Sequence, residues 1–557
     1  MPASFRLNRV TGYFENAGGL RVIPIGVNYW PASCGVELWP RWPAAEIGAD
    51  LDLVRSLGLN CVRFFLRWQD FEPVAGKFDE AMFGRLDEML RWHRERGLLA
   101  HPTLFVGYMS GGIFWPEWFA GRNVFSDLAL RARAIVFAEK AAAVCARYTE
   151  TVVAIDLGNE LGCLPECALA RPAEIASWCA DLTAAIRRHF PGALVVSGSE
   201  QTQVNMDTGW RFGAQRGCDF YSMHTYPVST WHSLVFDGMT DPLAQSLLPF
   251  YVKCARAWGP VMAQEFGTLL TRGQAECDAY LRAMLPACWR AGANGFLWWC
   301  LHDITFTGHP YDKFAFEGSL GLVDANHQVK PSLRYFIEFA QTLLAEDALT
   351  STVTTTGVAV YWPREYYARD NPRNPGNDPG TLSRQLAIAH FALSELGTEP
   401  RVTRRVAQLA PADTLVIPGA KLTATETAEL ATWVRDGGRL IFHGPDALTW
   451  GAAMENLLGA EPLDFRAPLA REIAWDDTTW RFTQFPREIF LKTRLTTAQV
   501  LANDDHGDPL LFRHALGQGA VVTCLADVDK EFAATSNQRE GRDRWFHWYR
   551  SMLTALD

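Results

Sequence analysis

Ile155-Asp156-Leu157-Gly158-Asn159-Glu160 closes a short apolar run with an Asn-Glu pair, and Val261-Met262-Ala263-Gln264-Glu265-Phe266-Gly267 closes another with a second Glu. Runs of this length with polar ends read as buried strands of a parallel sheet. Working outward from them, the same pattern recurs at Val22–Tyr29, Cys61–Leu66, Leu98–Phe105, Ala193–Ser197, Phe220–His224 and Gly295–Trp299, with Val152–Gly158 and Val261–Gln264 as the two runs already quoted. Helical periodicity fills the gaps at Ala44–Leu57, Ala81–Arg96, Leu128–Tyr148, Pro172–His189, Leu243–Trp258 and Glu276–Ala291. Glycine stops end three of them, at Gly58, Gly97 and Gly292. Eight buried strands joined by helical crossovers predict a (β/α)8 barrel over residues 1–345, closed by a helix over Lys330–Leu344 that Pro331 opens.

A second pattern follows. Val358–Trp362, Thr414–Ile417 and Arg439–His443 read as strands, alternating with helices at Leu382–Leu396 and Thr423–Asp436. That β-α-β-α-β order predicts a doubly wound α/β domain over residues 346–465. Residues 466–557 read as a β-rich segment over Leu469–Asp529 and a terminal helix over Arg544–Leu556, which could complete the second domain. The stretch Asp370–Gly380, dense in Pro, Asn, Asp and Gly, reads as a long loop, either functional or a plain surface excursion.

Composition bounds the function. With 48% hydrophobic and 20% charged residues the 557-residue chain is globular. A formal charge of −10 argues against nucleic acid, whose binding needs clustered Lys and Arg. No stretch has the roughly twenty apolar residues of a membrane helix, and Met1–Gly19 lacks the apolar core of a signal peptide. The 12 Cys are scattered, as reduced thiols of a cytoplasmic protein would be. Cys163, Cys167 and Cys179 lack a clear second pair, so no metal and no cofactor is expected. The load of 21 Trp and 33 Phe suits sugar stacking, although an aromatic-rich core would use most of them.

The chemistry sits at strand ends, where such barrels build their sites. Glu160 at the fourth strand and Glu265 at the seventh form the carboxylate pair that glycosidic cleavage requires. Glu160 is read as the proton donor and Glu265 as the nucleophile, with Arg63 at the second strand as the cation keeping it ionised. Asn159 is placed to hold the sugar 2-hydroxyl, His224 and Tyr226 to position Glu265 and the sugar, and Trp298 to form the floor beneath it. His101 is read equally as a sugar contact and as a satisfied core histidine. Of Trp30, Trp68, Trp115, Trp118 and Trp231 in rim loops, two are expected to touch substrate, Trp115 first.

Together Arg63, Asn159-Glu160, His224-x-Tyr226, Glu265 and Trp298 resemble the pattern of a clan A glycoside hydrolase, family 5-like, over residues 20–345. The second domain resembles the amidotransferase-like (flavodoxin-type) domain that follows the barrel in family 42 β-galactosidases, where it helps build trimers. The resemblance implies a retaining enzyme and a homo-oligomer, dimer or trimer, formed through that domain. Amidotransferases need a Cys at a strand-to-helix turn, and Leu440-Ile441-Phe442-His443-Gly444-Pro445-Asp446 holds none, so glutaminase activity is not expected. Long segments at Gly107–Asp127, Glu200–Gly217 and Pro227–Leu243 would wall off a pocket and favour exo action on a short β-linked oligosaccharide. The favoured reading is a β-mannosidase of the Manβ1-4GlcNAc type, with β-galactosidase and β-glucosidase open. Two readings of other classes also stand: a sugar-binding barrel that has lost catalysis, and a metal-dependent hydrolase, which would want His pairs where His101, His224 and His302 stand singly.

Overall fold

Pro24, with no N–H to give to a sheet, separates two strands where the sequence reads as one. Arg21–Val22 belongs to a small antiparallel sheet with Phe5–Leu7 and Phe14–Asn16, and Ile25–Tyr29 begins the barrel. The computed structural model describes residues 4–228, 234–268, 274–324, 326–345, 357–367, 377–466, 472–481, 490–536 and 539–557. They group into two units, Met1–Gln203 with Thr208–Val228 and Gly238–Val353, and Val204–Asp207 with Ser229–Asp237 and Thr354–Asp557.

The first unit is a parallel eight-stranded barrel: β1 (Ile25–Tyr29), β2 (Cys61–Phe65), β3 (Leu99–Phe105), β4 (Ile155–Gly158), β5 (Val195–Val196), β6 (Tyr221–Thr225), β7 (Val261–Phe266) and β8 (Ala293–Trp298). The hydrogen-bonded order β5-β4-β3-β2-β1-β8-β7-β6 leaves one seam, between β5 and β6, among the described residues. Around it lie α1 (Ala44–Ser56), α2 (Glu80–Arg96), α3 (Leu128–Cys145), α4 (Pro172–His189), α5 (Pro242–Arg256), α6 (Gln274–Arg290) and α7 (Arg334–Leu344). Local chemistry sets their ends. Asp79, Asp127 and Asp241 accept backbone N–H groups at the starts of α2, α3 and α5, and Gly97 ends α2 at φ 65°. Phe5, Leu7 and Phe14 of the small sheet pack with Cys61, Val196, Met262 and Leu297 as an apolar plug at the N-terminal end of the strands. Chemistry is thereby confined to the opposite rim.

The second unit holds β9 (Val358–Tyr361), β10 (Arg401–Thr403), β11 (Thr414–Pro418), β12 (Arg439–His443), β13 (Gln499–Asn503), β14 (Pro509–Leu516) and β15 (Gly519–Cys524). The order β10-β9-β11-β12-β15-β14-β13 makes five parallel strands of flavodoxin type, extended by two antiparallel ones. The last three strands lie in the same sheet as the first four, so the β-rich end of the chain builds onto the doubly wound core. Helices α8 (Pro379–Glu395) and α9 (Ala424–Arg435) start on Asp378 and on a Thr423/Glu426 capping box, and α10 (Arg539–Ala555) ends the unit. Much of the stretch Asp370–Gly380 lies outside the described residues.

Candidate active site

The barrel gathers Arg63, Glu160, His224 and Glu265, each on or just beyond a different strand. Arg63 on β2 is fully buried, and all of its nitrogens are engaged. Nε donates to Thr103 at 3.0 Å, Nη2 to Asp156 at 2.7 Å and to Asn159 Oδ1 at 2.9 Å, and Nη1 to Asn28 at 2.9 Å and to Glu265 Oε2 at 3.2 Å. Arg63 therefore serves the protein rather than a ligand: it orients Asn159 and sets a positive charge against Glu265. Tyr226 donates its hydroxyl to the other Glu265 oxygen at 2.7 Å. Both oxygens of Glu265 thus carry donors, which favours the carboxylate.

Glu160 follows β4 with φ at 47°, a left-handed conformation costly for a residue with a Cβ. Its N–H donates to Gly198 O at 2.9 Å, tying the end of β4 to the chain leaving β5. His224 on β6 places Nδ1 3.0 Å from Glu160 Oε1 and 3.4 Å from Glu265 Oε2. One oxygen of each Glu and a ring nitrogen of His224 all lie within 4.8 Å of one another. Burial pushes the Glu160 carboxyl up to about 7, against the pull of Arg63. Burial, with the nearby Glu160, also raises Glu265 to about 7, while Arg63 and the Tyr226 hydroxyl pull it down. Glu265 holds two hydrogen-bond donors, Arg63 and Tyr226, and these favour the carboxylate on Glu265 over that on Glu160. Two carboxyls this close, one held protonated and one ionised, can deliver a proton and a nucleophile to opposite sides of one bond.

The other expected site residues fall as follows. Asn159 is buried, donating Nδ2 to Tyr108 O at 2.7 Å. His101 is also buried, with Nδ1 2.9 Å from Ala154 O and Nε2 2.7 Å from Gln264 Nε2. Both ring nitrogens are spent on the protein, so His101 is a core histidine and not a sugar contact. Trp298 is likewise corrected. It is fully buried, gives its Nε1 to Leu320 O at 3.2 Å and packs on Phe266 and Phe336, the latter on α7. It faces the helical layer, whereas its neighbour Trp299 meets Phe65 edge-on and donates to Glu317 at 3.0 Å. Trp115 stacks on Phe119 at 5.1 Å in a cluster with Trp68 and Phe105, and stays partly exposed. Trp68 and Trp118 bond to Glu72 and serve that same cluster. Trp30 is buried against Phe65, and Trp231 lies outside the described residues.

Sequence reasoning missed Asp156, Gln264, Glu200 and Glu317. Asp156 is the principal partner of Arg63. Glu317 accepts from Ser110 at 2.6 Å and from Trp299, and burial lifts it to about 7. Burial and the field of Glu160 lift Glu200 to about 8. Only Asp156 and Gln264 stood beside a motif residue, and inside apolar runs neither signals its partner. In the second unit Cys524, at the end of β15, is buried with its thiol pushed up to about 12 by burial, the opposite of what a nucleophilic thiolate needs.

No protein-family model and no curated protein matches the chain. Solved structures do. An exo-β-1,4-mannosidase from Opitutaceae bacterium strain TAV5 is 45% identical, covering 98% of this chain and 99% of its own with a TM-score of 0.93. A GH5_18 protein from Streptomyces cattleya, solved with GlcNAc, is 21% identical over 76% of this chain and 99% of its own, at a TM-score of 0.63. A β-galactosidase from Rahnella sp. R3 is 14% identical over 96% of this chain and 89% of its own, at 0.71. The last two show the fold alone. With the two carboxyls on the rim and 45% identity over nearly both whole chains, the chain belongs to the clan A glycoside hydrolases, in the family of that exo-β-1,4-mannosidase: a family 5-like barrel followed by a family 42-like α/β domain.

Proposed function

We propose that this glycoside hydrolase is a retaining exo-β-mannosidase that removes the terminal mannose from short β-linked oligosaccharides of the Manβ1-4GlcNAc type. The observation that carries the mechanism is the spacing of the carboxyls. One oxygen of Glu160 lies within 4.8 Å of one oxygen of Glu265, which supports the retaining spacing of about 5–5.5 Å between carboxyls over the roughly 6.5–9.5 Å of an inverting enzyme. The glycone rests on the 45% identical exo-β-1,4-mannosidase.

Glu265 attacks the anomeric carbon as the glycosidic C–O bond breaks, and Glu160 gives its proton to the departing oxygen. Water then attacks the same carbon, Glu160 takes its proton, and Glu265 leaves as carboxylate. Asn159 offers an amide N–H to the sugar 2-hydroxyl, and Trp299 takes the place first given to Trp298. Trp115 and the hairpin over residues 107–114 wall the glycone. The working division of the chain is a catalytic barrel over 1–345, an α/β domain over 346–465 and a β-rich completion over 466–557. The second domain would build a dimer or trimer, which a solution mass measurement tests. No described helix is long and apolar enough to cross a membrane, and a cytoplasmic setting suits a substrate small enough to be taken up.

The test is hydrolysis of nitrophenyl β-mannoside, β-galactoside, β-glucoside and β-xyloside beside Manβ1-4GlcNAc, with Glu265→Ala and Glu160→Ala. The expected result is turnover of the mannosides alone, abolished in Glu265→Ala. Glu160→Ala should retain part of the rate on aryl substrates with good leaving groups and lose it on the disaccharide. A galactoside signal would replace the glycone; full disaccharide turnover by Glu160→Ala would remove that residue from the acid/base role.

A further inference from the structure

His224 lies between the two carboxyls, and its other nitrogen meets a chain of buried groups that the reaction itself does not use. Nε2 is 2.9 Å from Gln264 Oε1, and Gln264 Nε2 is 2.7 Å from His101 Nε2 and 3.2 Å from Asp156 Oδ2. His101 Nδ1 is 2.9 Å from the carbonyl of Ala154. Gln264, His101 and His224 are all fully buried.

Donor and acceptor logic fixes every proton along this chain. A backbone carbonyl only accepts, so His101 carries its proton on Nδ1. Burial and the charge of Arg63 keep this imidazole neutral, at about 3, leaving Nε2 as an acceptor. The amide NH2 of Gln264 must face that acceptor and Asp156, and its oxygen must face His224. His224 is therefore protonated on Nε2. Burial above all, with Arg63, lowers its affinity for a second proton against the opposing pull of Glu265, Gln264 and Asp156, so Nδ1 presents a lone pair to Glu160 and Glu265.

We infer that Gln264 is a positioning residue: its amide, pinned by His101 and Asp156, locks His224 in the Nε2–H form so that Nδ1 accepts the acidic proton of Glu160 between turnovers. A hydrogen bond to the neutral acid opposes its ionisation. If His224 took the other tautomer, Nδ1–H would instead donate to the Glu160 carboxylate and drive the proton off. The groups facing His224 are Glu160, Glu265, Gln264, Asp156 and Arg63, with His101 behind the amide. This inference rests on the proposed role of Glu160 as acid/base.

The experiment compares wild type, Gln264→Leu and His101→Phe on aryl β-mannosides with good and poor leaving groups, across pH. In Gln264→Leu the basic limb of kcat/KM is expected to move down by about half a pH unit or more. The rate should fall about 10²-fold with the poor leaving group and far less with the good one. His101→Phe should move the limb the same way. A limb that stays in place at any rate overturns the inference. On wild type itself, nitrogen NMR of histidine-labelled protein, with His224 assigned by its loss in His224→Gln, should show Nε2 protonated and Nδ1 bare. Protonation on Nδ1 overturns the inference even if neither variant folds. Failure of the acid/base reading is separate: it would show as full disaccharide turnover in Glu160→Ala.

Discussion

Two adjacent indoles, Trp298 and Trp299, divide structure from chemistry. Phe296 and Trp298 point the same way, two residues apart on β8, and pack on Phe339 and Phe336 of α7. Trp299 turns toward Phe65 and Glu317. Trp298→Ala should therefore cost about 3–5 kcal/mol of stability with little change in KM. Trp299 is buried too, so Trp299→Ala should also cost stability, but it alone should lower kcat/KM on the order of 10²-fold. Denaturant unfolding and steady-state kinetics on both variants check the split, and a reversed pattern would restore Trp298 to the site. Charged residues inside or just beyond apolar runs, Arg63, Glu160 and Glu265, were legible because a charge there needs a reason. The choice between the two Trp was not, since a slip of one residue reverses the face and both indoles suit either side. His101 was legible only as an ambiguity, because its partner Gln264 is 163 residues away.

At the scale of elements, the end of β4 and the chain leaving β5 touch backbone to backbone. Gly198 sits at φ 56°, and a Cβ there would lie 1.7 Å from Gly158 O. Gly198→Ala must push apart the segment that hands Glu160 its hydrogen bond. The expected result is a loss of roughly 2 kcal/mol or more together with reduced kcat at saturating substrate; unchanged kcat would show that Glu160 is held by other means. The long barrel helices and strands were readable from periodicity and glycine stops. The short elements were not. Three residues at Arg401–Thr403 show no alternation, and the plug built by Phe5–Leu7 and Phe14–Asn16 reads as irregular polar sequence until the barrel floor is there to receive it.

For the molecule as a whole, buried carboxyls shape the response to pH. Glu160, Glu265, Glu317 and Asp527 stand at about 7 and Glu200 at about 8, all raised first by burial. From about pH 4.5 up to those values the folded chain holds protons that an unfolded chain has released, so stability falls as pH rises. His93, at about 4, and His101, at about 3, act oppositely, but only up to the unfolded imidazole value of about 6.5. Above it the raised carboxyls act in the same sense as the buried thiols, such as Cys145 and Cys524, whose hold on the proton burial also strengthens. Tm should thus decline from pH 6.5 to 8.5, and Glu200→Gln, with no proton to release, should flatten that decline. A Tm that rises over this range would mean that these groups are hydrated and ordinary. The two-unit organisation was legible from the change of pattern after Leu344, while these pH-setting groups were not, since burial is a property of the finished fold.

The crowding of acids around a single guanidinium has a practical side. With Glu160, Glu265, Glu200 and Glu317 acting on one another against Arg63, the rim favours a small cation carrying several hydroxyls. Tris is such a molecule, so an amine buffer would act as a competitive inhibitor, and one that binds more tightly as the carboxyls ionise. Rates taken in phosphate, and inhibitors built on a basic ring nitrogen, are the natural starting points for work on this enzyme.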